Sequence, residues 1–160
     1  MYLNKRKAIF LISILSLVFF FTINDIKSQE LKVVDGDTIY LNGEKIRFTG
    51  IDTPELKQTC IKEGIKNFCG IKAKKILIDK IANNTVKCIN EGKDQYKRTL
   101  AECFVNNESL SRYLVRNGYA FAYRRYSTKF IPDEDFSRIS KSGMWAMEFD
   151  FPWDYRKKIN

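Results

Sequence analysis

The chain after residue 28 alternates short runs of β-forming residues with stretches in which apolar residues recur at helical spacing. The β-forming runs predict five short strands, at 30–34, 38–41, 45–49, 85–89 and 99–105. Apolar spacing, together with glycine and proline signals near the ends, predicts three helices, at 71–82, 108–117 and 132–142. Residues 56–70 show neither pattern and are predicted to form a loop. This order of elements indicates one mainly β domain of the α+β class.

A basic start and an uncharged apolar run precede this domain. Three basic residues at 5–7 are followed by residues 8–23, which carry no charge. This pattern is typical of an export signal, and the run is short for a membrane-spanning helix, which needs about 20 apolar residues. A cleaved signal and a retained membrane anchor both remain open. We therefore expect residues 1–28 to be a signal peptide or an anchor, and residues 29–160 to be an exported domain, secreted or periplasmic.

The charge balance and the absence of histidine limit the possible functions. The chain carries 28 Lys and Arg residues against 19 Asp and Glu residues, for a net charge of +9. A surplus of this size favours an anionic partner such as nucleic acid or a membrane surface. The lack of histidine excludes Ser-His-Asp and Cys-His nucleophiles, histidine-ligated zinc and histidine acid–base catalysis. Any catalysis must therefore use carboxylates, arginine, lysine, tyrosine, cysteine or a metal ion.

Four cysteines lie in the predicted domain, two in the predicted loop and two in the last two predicted strands. Four cysteines allow three disulfide pairings, and proximity in the sequence favours Cys60–Cys69 and Cys88–Cys103. A metal site is the alternative. The spacings do not match the Cys-x2-Cys pattern of zinc sites, and the export signal indicates an oxidising compartment. Two disulfides are therefore the expected arrangement.

The candidate chemistry is concentrated in residues 34–55. Asn42-Gly43 separates two β-forming runs and is a strong signal for a type I′ hairpin turn, which requires positive φ at both central residues. Folding this hairpin brings Asp37 close to Asp52, and carboxylate oxygens gathered in this way suit Ca²⁺ or Mg²⁺. The stretch contains four carboxylates and one arginine, which are Asp35, Asp37, Asp52, Glu55 and Arg47.

These residues form a combination of motifs, D-G-D-T followed by N-G and R-x4-D-T-P-E, that resembles the signature of the staphylococcal nuclease family. The resemblance extends over residues 31–145. It implies a five-stranded OB-fold barrel with three helices, and a calcium-dependent phosphodiesterase that hydrolyses DNA and RNA with low sequence specificity. The expected partners are single-stranded DNA and RNA as substrates, and a membrane only through residues 8–23 of an uncleaved chain. We expect a monomer.

The resemblance also implies roles for individual residues, with Ca²⁺ as the cofactor. The expected calcium ligands are Asp37, Asp52 and the backbone carbonyl of Thr53. Asp35 is expected to lie next to these ligands without contacting the ion. The expected catalytic residues are Arg47, Glu55 and Arg98. Phosphodiester hydrolysis places negative charge on a five-coordinate phosphorus, which guanidinium forks and a divalent cation stabilise. A carboxylate can orient or deprotonate the attacking water.

Two further segments extend the match. Residues 94–98, D-Q-Y-K-R, resemble the family pattern D-x-Y-G-R, but Lys97 stands where glycine is usual, which leaves the turn geometry and the reach of Arg98 open. Aromatic residues interleave with arginine at 119–126, a pattern suited to stacking on bases. The expected nucleotide contacts are Tyr96, Arg124, and Tyr123 or Tyr126.

Two alternatives from other functional classes remain at this point. A catalytically inactive OB-fold module would bind single-stranded nucleic acid without cutting it. An envelope-anchored structural protein would be explained only by the N-terminal apolar run. The presence of both arginines, the glutamate and both ligand aspartates favours the nuclease.

Overall fold

The computed structural model describes residues 29–159. The predicted signal or anchor at 1–28 lies outside the described residues. The strands of the described part are β1 (Leu31–Val33), β2 (Thr38–Leu41), β3 (Glu44–Phe48), β4 (Ile51–Asp52), β5 (Thr59–Lys62), β6 (Ile65–Phe68), β7 (Lys87–Lys93), β8 (Thr99–Val105), β9 (Glu108–Ser109) and β10 (Phe121–Ala122). Its helices are α1 (Cys69–Ile81), α2 (Leu110–Arg116), α3 (Ile131–Ile139) and α4 (Pro152–Ile159).

Six of the strands form one sheet in the order β1-β2-β3-β8-β7, with β9 paired to β8. β1, β2 and β3 are antiparallel neighbours, whereas β3 and β8 run parallel. The β2–β3 turn places Asn42 at φ 51° and Gly43 at φ 83°, so the predicted hairpin and its turn residues are confirmed. One face of the sheet carries Ile39, Ile46 and Phe48, which are buried in the main hydrophobic core.

The α+β, mainly β fold class is confirmed, and the sheet with its attached helices is consistent with the OB-fold-like architecture that the resemblance implies. The sheet has six strands rather than five, because Glu108–Ser109 pairs with β8 instead of starting a helix. The three predicted helices are present with shifted ends, and the described residues contain a fourth, α4, that the sequence pattern does not predict. No helix between residues 29 and 159 is long and apolar enough to cross a membrane.

The prediction of a loop at 56–70 is wrong, because these residues contain the hairpin β5–β6. Its turn residues Glu63 and Gly64 have φ of 52° and 78°, the left-handed pair that a two-residue hairpin turn uses. β6 is exposed along its whole length. Its sequence, I-K-N-F, also lacks the alternation of apolar and polar residues by which a half-buried strand is identified.

Both predicted disulfides are confirmed. Cys60 pairs with Cys69 and Cys88 with Cys103, with Cα separations of 5.9 and 4.0 Å. The first bridge joins β5 to the start of α1, and the second links directly opposed residues of β7 and β8. All four cysteines are used in this way, so none is left for a metal site.

Aromatic packing holds α4 against the domain. Trp153 stacks on Phe151 with 4.8 Å between ring centroids, and on Tyr123 with 5.8 Å. Phe151 in turn meets the edge of Phe121, a fully buried residue of β10, at 5.1 Å. Pro152 opens the helix, where its missing N–H has no helical partner to lose. This packing fixes α4 beside β4 and β10, which pair with each other.

Candidate active site

Strand pairing brings the predicted site residues together. Asp37 directly precedes β2, and its backbone N–H donates to Asp35 Oδ1 at 3.1 Å, which closes the D-G-D turn. Arg47 lies on β3, the hairpin partner of β2. Asp52 lies on β4, directly opposite Phe121 of β10. The hairpin and the short β4–β10 pair therefore deliver two carboxylates and one guanidinium to one place.

One guanidinium joins the two predicted calcium ligands. Arg47 Nη1 lies 2.5 Å from Asp37 Oδ1, and Arg47 Nη2 lies 2.9 Å from Asp52 Oδ1. The side chains of Asp37 and Asp52 are 3% and 1% exposed, whereas that of Arg47 is 20% exposed. The two aspartates thus contact the same guanidinium and lie close together, as the sequence analysis predicts from the hairpin.

Both oxygens of the Asp37 carboxylate have partners. Oδ1 accepts a hydrogen bond from Thr38 Oγ1 at 3.1 Å, and Oδ2 accepts from the backbone N–H and the hydroxyl of Thr53, each at 3.0 Å. Burial raises the pKa of the Asp37 carboxyl above its ordinary value, although the Arg47 guanidinium lowers it. Thr53 therefore contacts Asp37 through its donor groups, and the role of its carbonyl as a metal ligand stays a prediction.

A second guanidinium, Arg156 of α4, is a site residue that the sequence motifs do not indicate. Its Nη2 lies 2.6 Å from Asp52 Oδ2, and its Nη1 lies 2.8 Å from Glu55 Oε1 and 3.3 Å from Asp52 Oδ1. Partial burial lowers the pKa of Arg156, but its bonds to Asp52 and Glu55 raise it above the ordinary value. Pro152 is a local signal for the start of α4, yet no local pattern shows which carboxylate Arg156 meets, 104 residues from Asp52.

Gln58 fastens the D-T-P-E segment to the chain just before α4. Its side chain is fully buried. The backbone N–H of Glu55 donates to Gln58 Oε1 at 3.2 Å, and Gln58 Nε2 donates to the carbonyl of Asp150 at 2.7 Å. A buried amide with both ends bonded fixes its neighbours in place. Gln58 therefore helps to hold Glu55 and the start of α4 in the positions at which Arg156 contacts Asp52 and Glu55.

Arg98 lies outside this group in the described structure. Its Nε donates to Asp94 Oδ2 at 2.6 Å, and its guanidinium lies 5.5 Å from the ring centroid of Tyr96. Asp94 Oδ1 also accepts from the backbone N–H groups of Tyr96 and Arg98, each at 2.9 Å. Lys97 has φ 62°, the left-handed conformation that glycine adopts easily. The turn thus has the backbone that glycine would favour, with lysine in its place.

The predicted nucleotide contacts differ in their surroundings. Tyr123 stacks on Trp153 and meets the edge of Tyr126, 5.0 Å away between ring centroids. Tyr126 is 70% exposed and Tyr96 is 71% exposed, so both rings are open to solvent, and their contact with a nucleotide stays a prediction. Arg124 Nη1 lies 2.5 Å from Glu134 Oε2, a buried carboxylate of α3 itself. Arg124 is therefore engaged in a structural ion pair and is not grouped with Arg47.

The donor chemistry of the site fits a hard divalent cation. Asp37 and Asp52 present carboxylate oxygens to one point, since both contact Arg47, and such oxygens are the ligands that Ca²⁺ prefers. Between residues 29 and 159, no three side chains of Asp, Glu, His or Cys group closely enough to hold a metal ion. A cation at this place would be held by the two aspartates and by neutral oxygens.

Comparison with known proteins points to one family. The family described as staphylococcal nuclease homologue matches residues 45–147, more than half of the chain. A Haemophilus influenzae protein named "Uncharacterized endonuclease" is 29% identical, over 91% of this chain and 85% of its own length. A Methanocaldococcus jannaschii protein named "Uncharacterized protein MJ1439" is 34% identical, over 72% of this chain and 69% of its own length.

A plant relative is longer. The rice (Oryza sativa) protein named "Probable staphylococcal-like nuclease CAN2" is 28% identical over 76% of this chain, which spans only 31% of the rice protein.

Proposed function

The chain belongs to the staphylococcal nuclease family, and from that premise we propose that it is a calcium-dependent phosphodiesterase that hydrolyses DNA and RNA with low sequence specificity. The family match confirms the resemblance found in the motifs and supports a nuclease that acts on nucleic acid. Calcium dependence and broad specificity go beyond that match and are proposed. The carboxylate oxygens of Asp37 and Asp52 support calcium dependence, because Ca²⁺ prefers such ligands.

The observation that carries the proposal is the bridge from Arg47 to Asp37 and Asp52. A bound Ca²⁺ would supply positive charge that polarises the phosphate. Arg47 carries a planar fork that would be able to bind two phosphoryl oxygens at once when a bound cation takes over its contacts with Asp37 and Asp52. Glu55, whose side chain is 43% exposed, lies at the solvent side of the aspartates, where it can orient water or accept its proton.

The direct experiment measures cleavage of single-stranded DNA and of RNA by the purified protein, with Ca²⁺ or with excess chelator. Cleavage of both polymers is expected with Ca²⁺ and none with chelator. Arg47→Lys should lower the rate by about 10²–10³, because lysine keeps the charge but loses the fork aimed at the developing negative charge. Circular dichroism should show that the variant remains folded.

Arg116→Lys is the matched control for Arg47→Lys. Arg116 also pairs with a buried aspartate, Asp133, at 3.2 Å, but on α2 and away from the candidate site. The cleavage rate of Arg116→Lys should stay within about twofold of the wild type, because a surface substitution usually changes stability by no more than about 0.5 kcal/mol. A loss of less than about threefold in Arg47→Lys would contradict the assignment, since one transition-state donor supplies far more. Full cleavage in excess chelator would remove calcium from the proposal.

The second reading, an OB-fold module that binds single-stranded nucleic acid without cutting it, has no observation in its favour. The same assay separates the two readings. Binding of an oligonucleotide without cleavage, at any Ca²⁺ concentration, would support the inactive module.

We also propose that the domain works outside the cytoplasm. The support is the pair of disulfides, which form and persist in oxidising compartments. Residues 1–28, where the predicted signal or anchor lies, are outside the described structure. Fractionation of cells that express the full chain would locate the protein and show whether this segment is removed.

A further inference from the structure

Four side chains line up across the sheet beside the candidate site, and we call them the basic row: Lys32, Tyr40, Lys45 and Arg98. The β1–β2 register pairs Lys32 with Tyr40, and the β2–β3 register pairs Tyr40 with Lys45. The parallel pairing of β3 with β8 continues the row, because Arg98 precedes Thr99 as Lys45 precedes its partner Ile46. The row crosses β1, β2 and β3 and ends at the entrance to β8.

The basic row lies on the solvent face of the sheet. Lys32 and Lys45 are exposed and Tyr40 is 38% exposed, whereas the alternate residues Ile39 and Ile46 are buried in the core. Successive residues of a strand point to opposite faces, so this alternation fixes the outward direction. Lys45 Nζ lies 5.9 Å from the ring centroid of Tyr40, which shows that the two side chains share one face.

The row is continuous with the candidate site. Lys45 and Arg47 are two residues apart on β3 and therefore point to the same face. Arg47 therefore lies about 7 Å from Lys45 along β3. The four positions of the basic row lie on neighbouring strands and span about 15 Å across the sheet. A chain held at Arg47 could thus continue over the basic row without leaving the surface.

The charges of the row are largely free for a partner. Among the described residues, Lys32 and Lys45 form no ion pair. Arg98 shares its charge with Asp94. Exposed cations that follow one line, with an aromatic ring between them, match a polyanion whose bases can stack, and this is the chemistry of single-stranded nucleic acid.

We propose that the basic row is a binding track for the phosphate backbone of single-stranded nucleic acid, on the part of the substrate that lies beyond the bond to be cut. This inference rests on the proposed function, because it assigns a path to the substrate of that site. Lys32 and Lys45 neutralise phosphates, and Tyr40 stacks on a base. A lipid surface fits the row less well, because Tyr40 is its only residue able to enter an apolar layer.

The test compares two double variants in the full-length protein, with chelator present so that binding is measured without turnover. Lys32→Gln/Lys45→Gln removes two charges from the row. Lys62→Gln/Lys66→Gln removes the same charge from the β5–β6 hairpin, where both lysines are also exposed. The probe is a fluorescent oligothymidylate of about 12 nucleotides, within the usual range for an OB-fold. Its affinity is measured over a series of salt concentrations.

The row variant should lower the slope of log affinity against log salt by about 1.4, which is about 0.7 for each phosphate contact on a single strand. Relative to 1 M salt, this slope corresponds to about tenfold weaker binding at about 0.15 M. The hairpin variant should keep the wild-type slope. Tyr40→Ala should weaken binding by about fivefold or more without changing the slope, and Tyr40→Phe should restore it, since stacking needs only the ring.

An unchanged slope in the row variant overturns the proposal, and so does an equal loss of slope in the hairpin variant. Vesicles of phosphatidylglycerol and phosphatidylcholine serve as the second probe. Loss of vesicle binding with an unchanged oligonucleotide slope would assign the row to a lipid surface instead. The proposed function fails separately, and the track with it, if the wild type neither binds the oligonucleotide in chelator nor cuts it with Ca²⁺.

Discussion

Removal of Arg156 should have two opposing effects: it should lower the stability of the metal-free protein and strengthen the binding of Ca²⁺ to the Asp52 carboxylate. In Arg156→Gln, Asp52 loses both bonds from α4 and keeps only its bond to Arg47. A hydrogen bond between charged groups contributes about 1.5–3 kcal/mol when one partner is buried, and Asp52 is 1% exposed. Arg156 itself is 33% exposed, so solvent screening reduces this figure, and the contact to the half-exposed Glu55 adds little.

We therefore expect the metal-free variant to be less stable than the wild type by about 1–3 kcal/mol. For a domain of this size, that change lowers the melting temperature by about 3–12 °C. Calcium should act in the opposite direction. A cation at the site must compete with Arg156 for the oxygens of Asp52, so the variant should bind Ca²⁺ more tightly and gain more stability from it.

The assay is thermal unfolding of both proteins in chelator and over a series of Ca²⁺ concentrations. Lys157→Gln is the control, because Lys157 is the next residue of α4, carries the same charge and, among the described residues, pairs only with the half-exposed Asp154. Melting of Arg156→Gln within about 1 °C of the wild type in chelator would show that the contact adds no stability. An equal calcium-induced shift in variant and wild type would show that Arg156 does not compete with the cation.

Three further predictions follow from the same structure. Mg²⁺ should support less cleavage than Ca²⁺ at equal concentration, because it demands a tighter octahedral shell than two aspartates and neutral oxygens readily supply; equal rates would contradict this. Unfolded, unreduced protein from an oxidising compartment should titrate with no thiol reagent, and Cys88→Ala should lower stability by about 2–4 kcal/mol in urea unfolding. Lys97→Gly should change the unfolding free energy by less than about 1 kcal/mol, because relief of the left-handed backbone offsets the greater freedom of the unfolded chain; a larger loss would mean that the lysine side chain supports the turn.

The features that could be predicted from the sequence are those determined by neighbours in the chain. Asn42-Gly43 specifies its own turn, and the turn then sets the register that brings Arg47 toward Asp37. The pairing of Cys88 with Cys103 follows in the same way from two strands joined by one connection. Both inferences need only local conformation and strand geometry.

The features that could not be predicted depend on packing between distant segments. The β5–β6 hairpin has Glu63 at a left-handed position and an exposed second strand, so neither its turn residue nor its pattern indicates a hairpin. The contact of Arg156 depends on aromatic packing around Trp153 and on the buried amide of Gln58. Short-range patterns contain no information about such contacts.

The distance along the chain between Asp52 and Arg156 also determines when the site is completed during synthesis. A domain generally folds as a unit, and Asp52 is made 104 residues before its partner Arg156. Until α4 has been made, Arg156 cannot contact this carboxylate, and Arg47 is the only one of its two arginine partners in the described structure that is already present. Helix α4, which carries Arg156, is thus the element that completes the charge balance of the site, 104 residues after Asp52.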